Sequence, residues 1–182
     1  FVHKSIIFHL LCRCTRWHAT KVIDNKEDET LVSAMDEIWV KVHGPMKEFY
    51  VDGESGIMQS ELTQTYFRRN AITPKPRAKD QHARYIERRG AILRDRIHRT
   101  GSQLEVEGIT VPFPLIVGEC TFCGNALLTV QDSTPYNNVY GRVPRILPSI
   151  NQIAEPNSSQ EPMPGTIRDS HRLREISVQA TI

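Results

Sequence analysis

The pattern of hydrophobic and polar positions divides the first third of the chain into strands and one helix. A short apolar run over residues 5–12 (SIIFHLLC) precedes a roughly alternating stretch over residues 15–23 (TRWHATKVI), and together they predict two paired strands. A helix follows, in which apolar residues recur at i, i+4, i+7 and i+11, at Leu31, Met35, Ile38 and Val42. Gly44-Pro45 ends this helix, and residues 47–51 predict a third strand.

The rest of the pattern predicts further helices separated by loops. In chain order it predicts a helix over 57–69, a short edge strand over 71–73, a polar loop over 74–81, a helix over 82–99, a helical stretch that opens at Ser102 or Thr110, and a turn-rich segment over 133–148. This order is typical of a three-layer α/β fold, a mixed sheet flanked by helices. We therefore expect one domain over residues 1–148.

Residues 149–182 are expected to form a linker or disordered tail. The stretch 151–165 is rich in Pro, Ser and Gln, a composition that gives a chain little apolar surface to bury. The later stretch RLREISVQATI has the pattern with which a helix begins.

The composition is that of an ordinary soluble globular protein, with 39% apolar and 24% charged residues. No apolar run approaches the ~20 residues that a membrane span needs. Cys12 and Cys14 fall in a strand pattern and would face one side, whereas Cys120 and Cys123 lie three apart in a predicted helix. Zinc binding is an alternative, but no second pair at ligand spacing accompanies them, so buried free thiols in a reducing compartment are favoured.

Positive charge is concentrated in one part of the chain, although the whole chain has a net charge of only +2. Residues 68–99 contain eleven Lys or Arg and three Asp or Glu, so this basic block is +8 and the remainder is −6. A block of this size is a candidate phosphate-binding surface. A solvated helix face is the alternative interpretation, and charge alone does not decide between them.

The stretch FYVDGESGI, residues 49–57, places the carboxylate of Asp52 directly after a strand. Asp-Gly is a common turn sequence, which is the simplest interpretation. A metal-binding carboxylate is the alternative, because open α/β sheets bind ligands at the carboxyl ends of their strands. Glu87 lies 35 positions later among arginines, where it is either an ordinary salt-bridge partner or a second carboxylate for the same site. Two carboxylates beside a basic block predict Mg²⁺ or Mn²⁺ and two-metal phosphoryl transfer on a nucleic acid.

Several stretches resemble the catalytic core of a retroviral or LTR-retrotransposon integrase, which has a ribonuclease H-like fold. They occur in the expected order, as HLLCRCTRWHATKVI, a helix with Trp39 followed by HGP, YVDGESG, QHARYIERRGAILRD, and GNALLT followed by STPYNNVYGRVPRILP. The last stretch is particularly similar to retrotransposon polyproteins. The resemblance covers about residues 5–148 and implies an α/β core whose first strand is truncated.

The resemblance also implies roles for the two carboxylates. The family uses an Asp, Asp, Glu triad, in which Asp52 matches the second acid and Glu87 the third, both as metal ligands. The first acid is expected a few residues before Lys4, whereas the earliest Asp in this sequence is Asp24. We therefore expect this fragment to be inactive alone and to bind metal weakly. The sequence departs from the family at Cys12, at Arg84 where a Gly is common, and in an Asp-to-Glu spacing one residue shorter than usual.

DNA is the partner that the resemblance implies, and a homodimer or higher oligomer is expected through the helical faces. The candidate phosphate contacts are Lys75, Arg77, Lys79, Arg84 and Arg88. A nucleus, cytoplasm or virus-like particle is the expected location, and secretion is not expected. Trp17 and Trp39 are interpreted as core or dimer-interface aromatics.

Three other functions remain open. The first is a degenerate integrase-like domain that dimerises and binds DNA without catalysis. The second is another nuclease of the same fold, a ribonuclease H or a transposase. The third is a plain soluble α/β domain with an Asp-Gly turn and a salt-bridged helix.

Overall fold

The computed structural model describes residues 5–52, 60–77, 84–130, 132–146 and 165–182, and the side chains of Asp52, Arg77 and residues 165–168 lie outside that description. These residues fall into two compact units. Among the described residues, the N-terminal unit contains 5–10 together with Ala19–Arg89, and the C-terminal unit contains Leu11–His18 together with Gly90–Ile182.

Helices flank two pairs of strands in the described part of the chain, which confirms the α/β prediction. The strands are β1 (Ile6–Leu11), β2 (His18–Ile23), β3 (Glu48–Asp52) and β4 (Thr73–Arg77). β1 pairs with β2, and the connection over residues 12–17 is too short for a parallel crossover, so this pair is antiparallel. β3 pairs with β4 in parallel.

The helices follow the predicted order, with changes at their ends. They are α1 (Asp28–Met35), a π-helical turn (Asp36–Val40), α2 (Lys41–His43), α3 (Glu61–Arg69), α4 (Arg84–Val106), α5 (Phe113–Leu127), α6 (Pro135–Tyr140) and α7 (Gly165–Gln179). Ser60 caps α3 by accepting a hydrogen bond from the Thr63 amide at 3.4 Å, so α3 begins later than the predicted residue 57. No helix in the described ranges is long and apolar enough to cross a membrane.

The N-terminal unit is built around a small apolar core. Leu10, Met35, Phe67 and Ile72 are buried there, and the ring of Phe49 lies 5.6 Å from that of Phe67. Burying each of these side chains contributes about 1.5–3 kcal/mol. The core therefore joins β1, α1, β3 and α3.

The predicted apolar stripe of the first helix holds only in part. Met35 is buried, but Val42 is 58% exposed. The π-helical turn Asp36–Val40 adds a residue to one turn, which rotates the following residues away from the 3.6-residue period. Gly44, with φ of +80°, ends the helix where predicted, in a conformation that favours glycine.

The polar loop predicted over 74–81 is wrong for residues 74–77, which belong to β4. Thr73 donates its amide hydrogen to the Lys47 carbonyl at 3.0 Å, which begins the pairing with β3. Pro74 and Pro76 take the alternate positions, whose nitrogens point away from β3. Proline is therefore tolerated here because it occupies only the outer edge of the strand.

The helix predicted over 82–99 is also wrong at its C-terminal end, because α4 continues past Arg99 to Val106. Thr100 and Leu104 are buried, at seven and eleven residues from buried Leu93, so the apolar stripe continues. Gly108, with φ of +66°, lies after its end.

Residues 165–179 form a helix, α7, within the C-terminal unit. Leu173, Ile176 and Val178 of α7 are buried, and α7 packs against α5. Two arginines of α7 also make ion pairs with the body of the C-terminal unit. The segment 147–164, which holds the predicted boundary at 148, lies outside the described residues, so that boundary stays a prediction.

The cysteines are free and divide into two environments. Cys120 and Cys123 are buried on α5, which confirms the prediction for this pair. Cys12 and Cys14 lie in the turn after β1 rather than in a strand, and Cys14 is exposed. Burial raises the pKa of both α5 thiols, that of Cys123 to about 12, so they are protonated near neutral pH.

Candidate active site and basic surface

The parallel pair of strands fixes the backbone position of Asp52. Asp52 is the last residue of β3 and is the register partner of Arg77, the last residue of β4. Tyr50 and Lys75 are partners two positions earlier. This register brings the backbones of a candidate metal ligand and a candidate phosphate contact next to each other on neighbouring parallel strands.

The first turns of α4 carry the other candidate carboxylate. Arg84, Glu87 and Arg88 are all exposed, at i, i+3 and i+4, so they share one face of the helix. Glu87 lies in the first turn, where a negative charge interacts favourably with the helix dipole. Glu87 and Asp52 both belong to the N-terminal unit.

The predicted phosphate contacts are described to different extents. Lys75 is exposed on β4, and Arg84 and Arg88 are exposed on α4. The side chain of Arg77 and the whole of Lys79 lie outside the described residues. The described members are therefore accessible to a phosphate backbone, and their contact with one stays a prediction.

The basic block is not a uniform surface. Arg89 and Arg96 are 8% and 4% exposed, so they are unavailable to a DNA backbone. Burial lowers the pKa of Arg96. Arg96 belongs to the C-terminal unit, as do Cys120 and Cys123. The charge of +8 therefore overstates the charge that solvent can reach.

A hydrogen-bonded cluster in the N-terminal unit was not expected from the sequence. The Tyr66 hydroxyl donates to Asp36 Oδ1 at 3.0 Å, and the Lys41 ammonium lies 2.9 Å from Asp36 Oδ2. The hydrogen bond from Lys41 lowers the pKa of Asp36, and burial raises the pKa of Tyr66 well above its usual range. This cluster ties α3 to the π-helical turn. The 30-residue separation of Tyr66 from Asp36 gives no local sequence signal.

Asp52 and Glu87 offer oxygen donors of the kind that a divalent metal binds. Carboxylate oxygens are the ligands that Mg²⁺ prefers, and the sequence places one at a strand end and one on an exposed helix face. Among the described side chains, which do not include that of Asp52, no group of three His, Cys, Asp or Glu residues is close enough to hold a metal ion. The carboxylate oxygens of Asp52 and Glu87 are therefore suitable ligands for Mg²⁺. That the two carboxylates bind the same metal stays a prediction.

Comparison with protein-family models and with curated proteins gives no match. Solved structures do match. An intasome of simian T-cell lymphotropic virus in complex with PP2A regulatory subunit B56 gamma contains a similar chain, with a TM-score of 0.60 and 14% identity, over 79% of this chain and 55% of that chain. This chain thus spans about half the length of that relative.

Isolated catalytic cores match over most of their own length. The HTLV-2 integrase catalytic core domain in complex with magnesium matches in its trimeric form, with a TM-score of 0.56 and 11% identity, over 73% of this chain and 91% of that chain. Its dimeric form matches with a TM-score of 0.55 and 11% identity, over 72% of this chain and 90% of that chain. The described chain therefore has the ribonuclease H-like α/β fold of retroviral integrase catalytic cores.

Proposed function

We propose that this chain is the catalytic core of an integrase-type polynucleotidyl transferase from an LTR-retrotransposon-like element, which inserts element DNA into target DNA. The observation that carries the proposal is the position of Asp52 at the end of β3, beside Arg77, in a chain with an integrase-core fold. The proposed location follows from this function, as the nucleus, the cytoplasm or a virus-like particle.

Asp52 and Glu87 are the proposed ligands of Mg²⁺ or Mn²⁺. A divalent metal bound there supplies charge stabilisation of the reacting phosphate and lowers the pKa of a bound water or hydroxyl. The chain's own contribution is to hold two carboxylates on rigid elements, a strand end and a helix. No protein nucleophile is required by this chemistry.

The basic residues are proposed to position the DNA. Lys75 on β4 and Arg84 and Arg88 on α4 offer exposed cations that can contact phosphates, and Arg77 and Lys79 belong to the same proposed set. Such contacts orient the duplex without reading its sequence. Oligomerisation of this chain is proposed as well, and the dimeric and trimeric forms of the HTLV-2 core support it.

The test is Mg²⁺-dependent joining of a labelled duplex end to target DNA by a chain extended upstream through the position of the first acid. Asp52→Asn and Glu87→Gln keep the side-chain shapes and remove the charges, and each is expected to lower joining by at least about 100-fold. Glu105→Gln is the matched control, because Glu105 is an exposed acid on the same helix. The 182-residue chain alone is predicted not to join DNA.

Each outcome has a distinct meaning. Loss of joining in both variants but not in the control supports the two assigned ligands. Binding of DNA by the extended chain without any joining supports a degenerate integrase-like domain instead. A chain that neither binds nor joins DNA contradicts the proposal as a whole.

A further inference from the structure

Three aromatic rings from distant parts of the sequence meet in the C-terminal unit. The ring of Trp17 lies 5.5 Å from that of Tyr140 and 6.0 Å from that of Tyr136, and the two tyrosine rings are 4.7 Å apart. Tyr136 and Tyr140 are four residues apart on α6, so they lie on one face of it. We refer to Trp17, Tyr136 and Tyr140 as the aromatic cluster.

Local backbone structure holds the aromatic cluster in place. Thr134 caps α6 by accepting a hydrogen bond from the Asn137 amide at 3.2 Å, and Gly141, with φ of +65°, ends it. Trp17 closes the turn after β1, where its carbonyl accepts a hydrogen bond from the Cys12 amide at 2.9 Å. The rings are therefore presented by fixed elements and not by a long loop.

One ring of the aromatic cluster is exposed, and the two segments that contain the cluster are basic. Tyr140 is 45% exposed, so its ring presents surface to solvent in addition to its contact with Trp17. The segments 12–17 and 134–146 contain four arginines and no acidic residue. Arg142 and Arg145 follow α6 directly and are exposed, and Arg13 is exposed in the turn before Trp17.

An exposed tyrosine ring flanked by arginines matches the chemistry of a single-stranded nucleic acid. An unpaired base can stack on the ring of Tyr140, while guanidinium groups contact the phosphates on either side of it. A duplex offers phosphates but keeps its bases stacked on each other, so it does not use the ring. A purely apolar partner would use the exposed ring but would make no charge-assisted contact with the exposed guanidinium groups of Arg142 and Arg145.

We propose that the aromatic cluster and its flanking arginines form a binding site for unpaired nucleic acid, such as a frayed DNA end or a single-stranded extension. This inference deepens the proposed function and rests on it, because a nucleic-acid end is the substrate of that function. The site is separate in sequence from Asp52, Glu87 and the basic block. Its proposed role is to hold a single strand that extends from the reacting duplex.

The test compares binding of a fluorescein-labelled oligo(dT) of about 12 nucleotides with binding of a duplex of the same length to the 182-residue chain. Tyr140→Leu removes the aromatic ring and keeps an apolar side chain. It is expected to weaken oligo(dT) binding by roughly 5- to 100-fold, the effect of losing one base–aromatic stack. Tyr140→Phe keeps the ring and is expected to bind like the parent chain.

A charge variant gives a second measurement that does not depend on the ring. Arg142→Gln is expected to lower the slope of log K against log salt for oligo(dT) by about 0.7, the value for one phosphate contact on a single strand. Lys26→Gln is the matched control, because Lys26 is exposed in an acidic stretch of the N-terminal unit. Thermal melting of each variant checks that the fold is retained.

Tryptophan fluorescence reports directly on the site. The chain has two tryptophans, so Trp39→Phe leaves Trp17 as the only one. Oligo(dT) is expected to quench Trp17 at the same concentrations that give the binding curve. Unchanged Trp17 fluorescence with saturating oligo(dT) would place the strand elsewhere and overturn the proposal.

The remaining outcomes separate this inference from the proposed function. Equal oligo(dT) binding by the parent chain and Tyr140→Leu, with duplex binding that depends on Lys75 and Arg88, overturns this inference alone. Equal loss of duplex and oligo(dT) binding in Tyr140→Leu overturns the assignment to single strands. Absence of binding to either nucleic acid overturns both proposals.

Discussion

Asp52 and Arg77 are register partners at the ends of two parallel strands, β3 and β4. If Asp52 binds a divalent metal as proposed, a phosphate held at that metal would lie near the end of β4, where Arg77 would be placed to contact it. β4 is unusual in carrying prolines at two of its five positions, 74 and 76. The charged residues of this strand, Lys75 and Arg77, therefore alternate with the prolines.

Arg77→Gln is expected to weaken binding of duplex DNA and to lower the slope of log K against log salt by about 0.9, the value for one phosphate contact on a duplex. The change removes the charge at the end of β4 without altering the backbone pairing that fixes Asp52. Fluorescence anisotropy of a labelled duplex, measured across a series of salt concentrations, checks the result. Lys26→Gln, at an exposed position outside the basic block, is the control for a general loss of positive charge. An equal effect of the two variants would contradict a specific contact by Arg77.

Asn125→Ala is expected to lower the free energy of unfolding by about 2–5 kcal/mol, because it removes two hydrogen bonds to the buried backbone of His18. The Asn125 side chain accepts a hydrogen bond from the His18 amide at 3.0 Å and donates one to the His18 carbonyl at 2.8 Å. Both residues are 2% exposed, so water does not replace these bonds without a structural change. Chemical denaturation followed by circular dichroism gives the measurement. Asn138→Ala, at an exposed position on α6, is expected to change stability by less than about 0.5 kcal/mol.

Local patterns were sufficient to predict the order of strands and helices. The apolar run of β1, the helical spacing in α1 and the pattern of the helix predicted over 57–69 are signals within a few residues, and the structure has elements at each of them. The ends of elements were harder to predict where a longer-range contact decides them. β4 extends through Pro74 and Pro76 because β3 supplies a partner strand, which no pattern within 74–81 reveals.

The candidate site was predictable only as far as residue types and order allow. The pattern around Asp52 indicated a strand that ends in a carboxylate, and the structure places its backbone there. The bond between His18 and Asn125 spans 107 residues and has no sequence signature. Burial of Arg96 also escaped prediction, because a charged residue on a helix is usually exposed. The aromatic cluster was missed as a site because Trp17 lies far from α6 in sequence.

Glu107→Gln is expected to destabilise the chain near neutral pH and to have less effect as the pH falls from about 4.5 to 2. Arg172 donates two hydrogen bonds to Glu107, at 2.6 and 2.7 Å, and this lowers the pKa of Glu107 to about 2. A carboxylate whose pKa is depressed in the folded state stabilises that state above its unfolded pKa, and the contribution is lost as pH falls toward the folded pKa. The melting temperatures of the two chains should therefore converge in acid.

Glu105→Gln is the control for this pH dependence, because Glu105 is an exposed acid two residues earlier on α4. Its melting temperature is expected to stay close to that of the parent chain, because an exposed side chain contributes little to packing. A constant difference between Glu107→Gln and the parent chain down to about pH 2 would show that the ion pair with Arg172 does not contribute through the charge of Glu107.

Leu173→Ala is expected to increase the rate at which a thiol reagent labels Cys120 and Cys123 by at least tenfold. The substitution removes about 2–5 kcal/mol of packing from the face of α7 that contacts α5. Leu173 is 2% exposed, and Ser177 of α7 lies against Cys120. Undocking of α7 exposes both thiols and brings their pKa values back toward the ordinary range, so more of the reactive thiolate forms. The measurement uses Ellman's reagent with Cys12 and Cys14 replaced by serine. Leu115→Ala, on the exposed side of α5, is the matched control. An equal labelling rate in Leu173→Ala and the parent chain would mean that α7 does not cover the thiols, and that their protection comes from α4 and α5 alone.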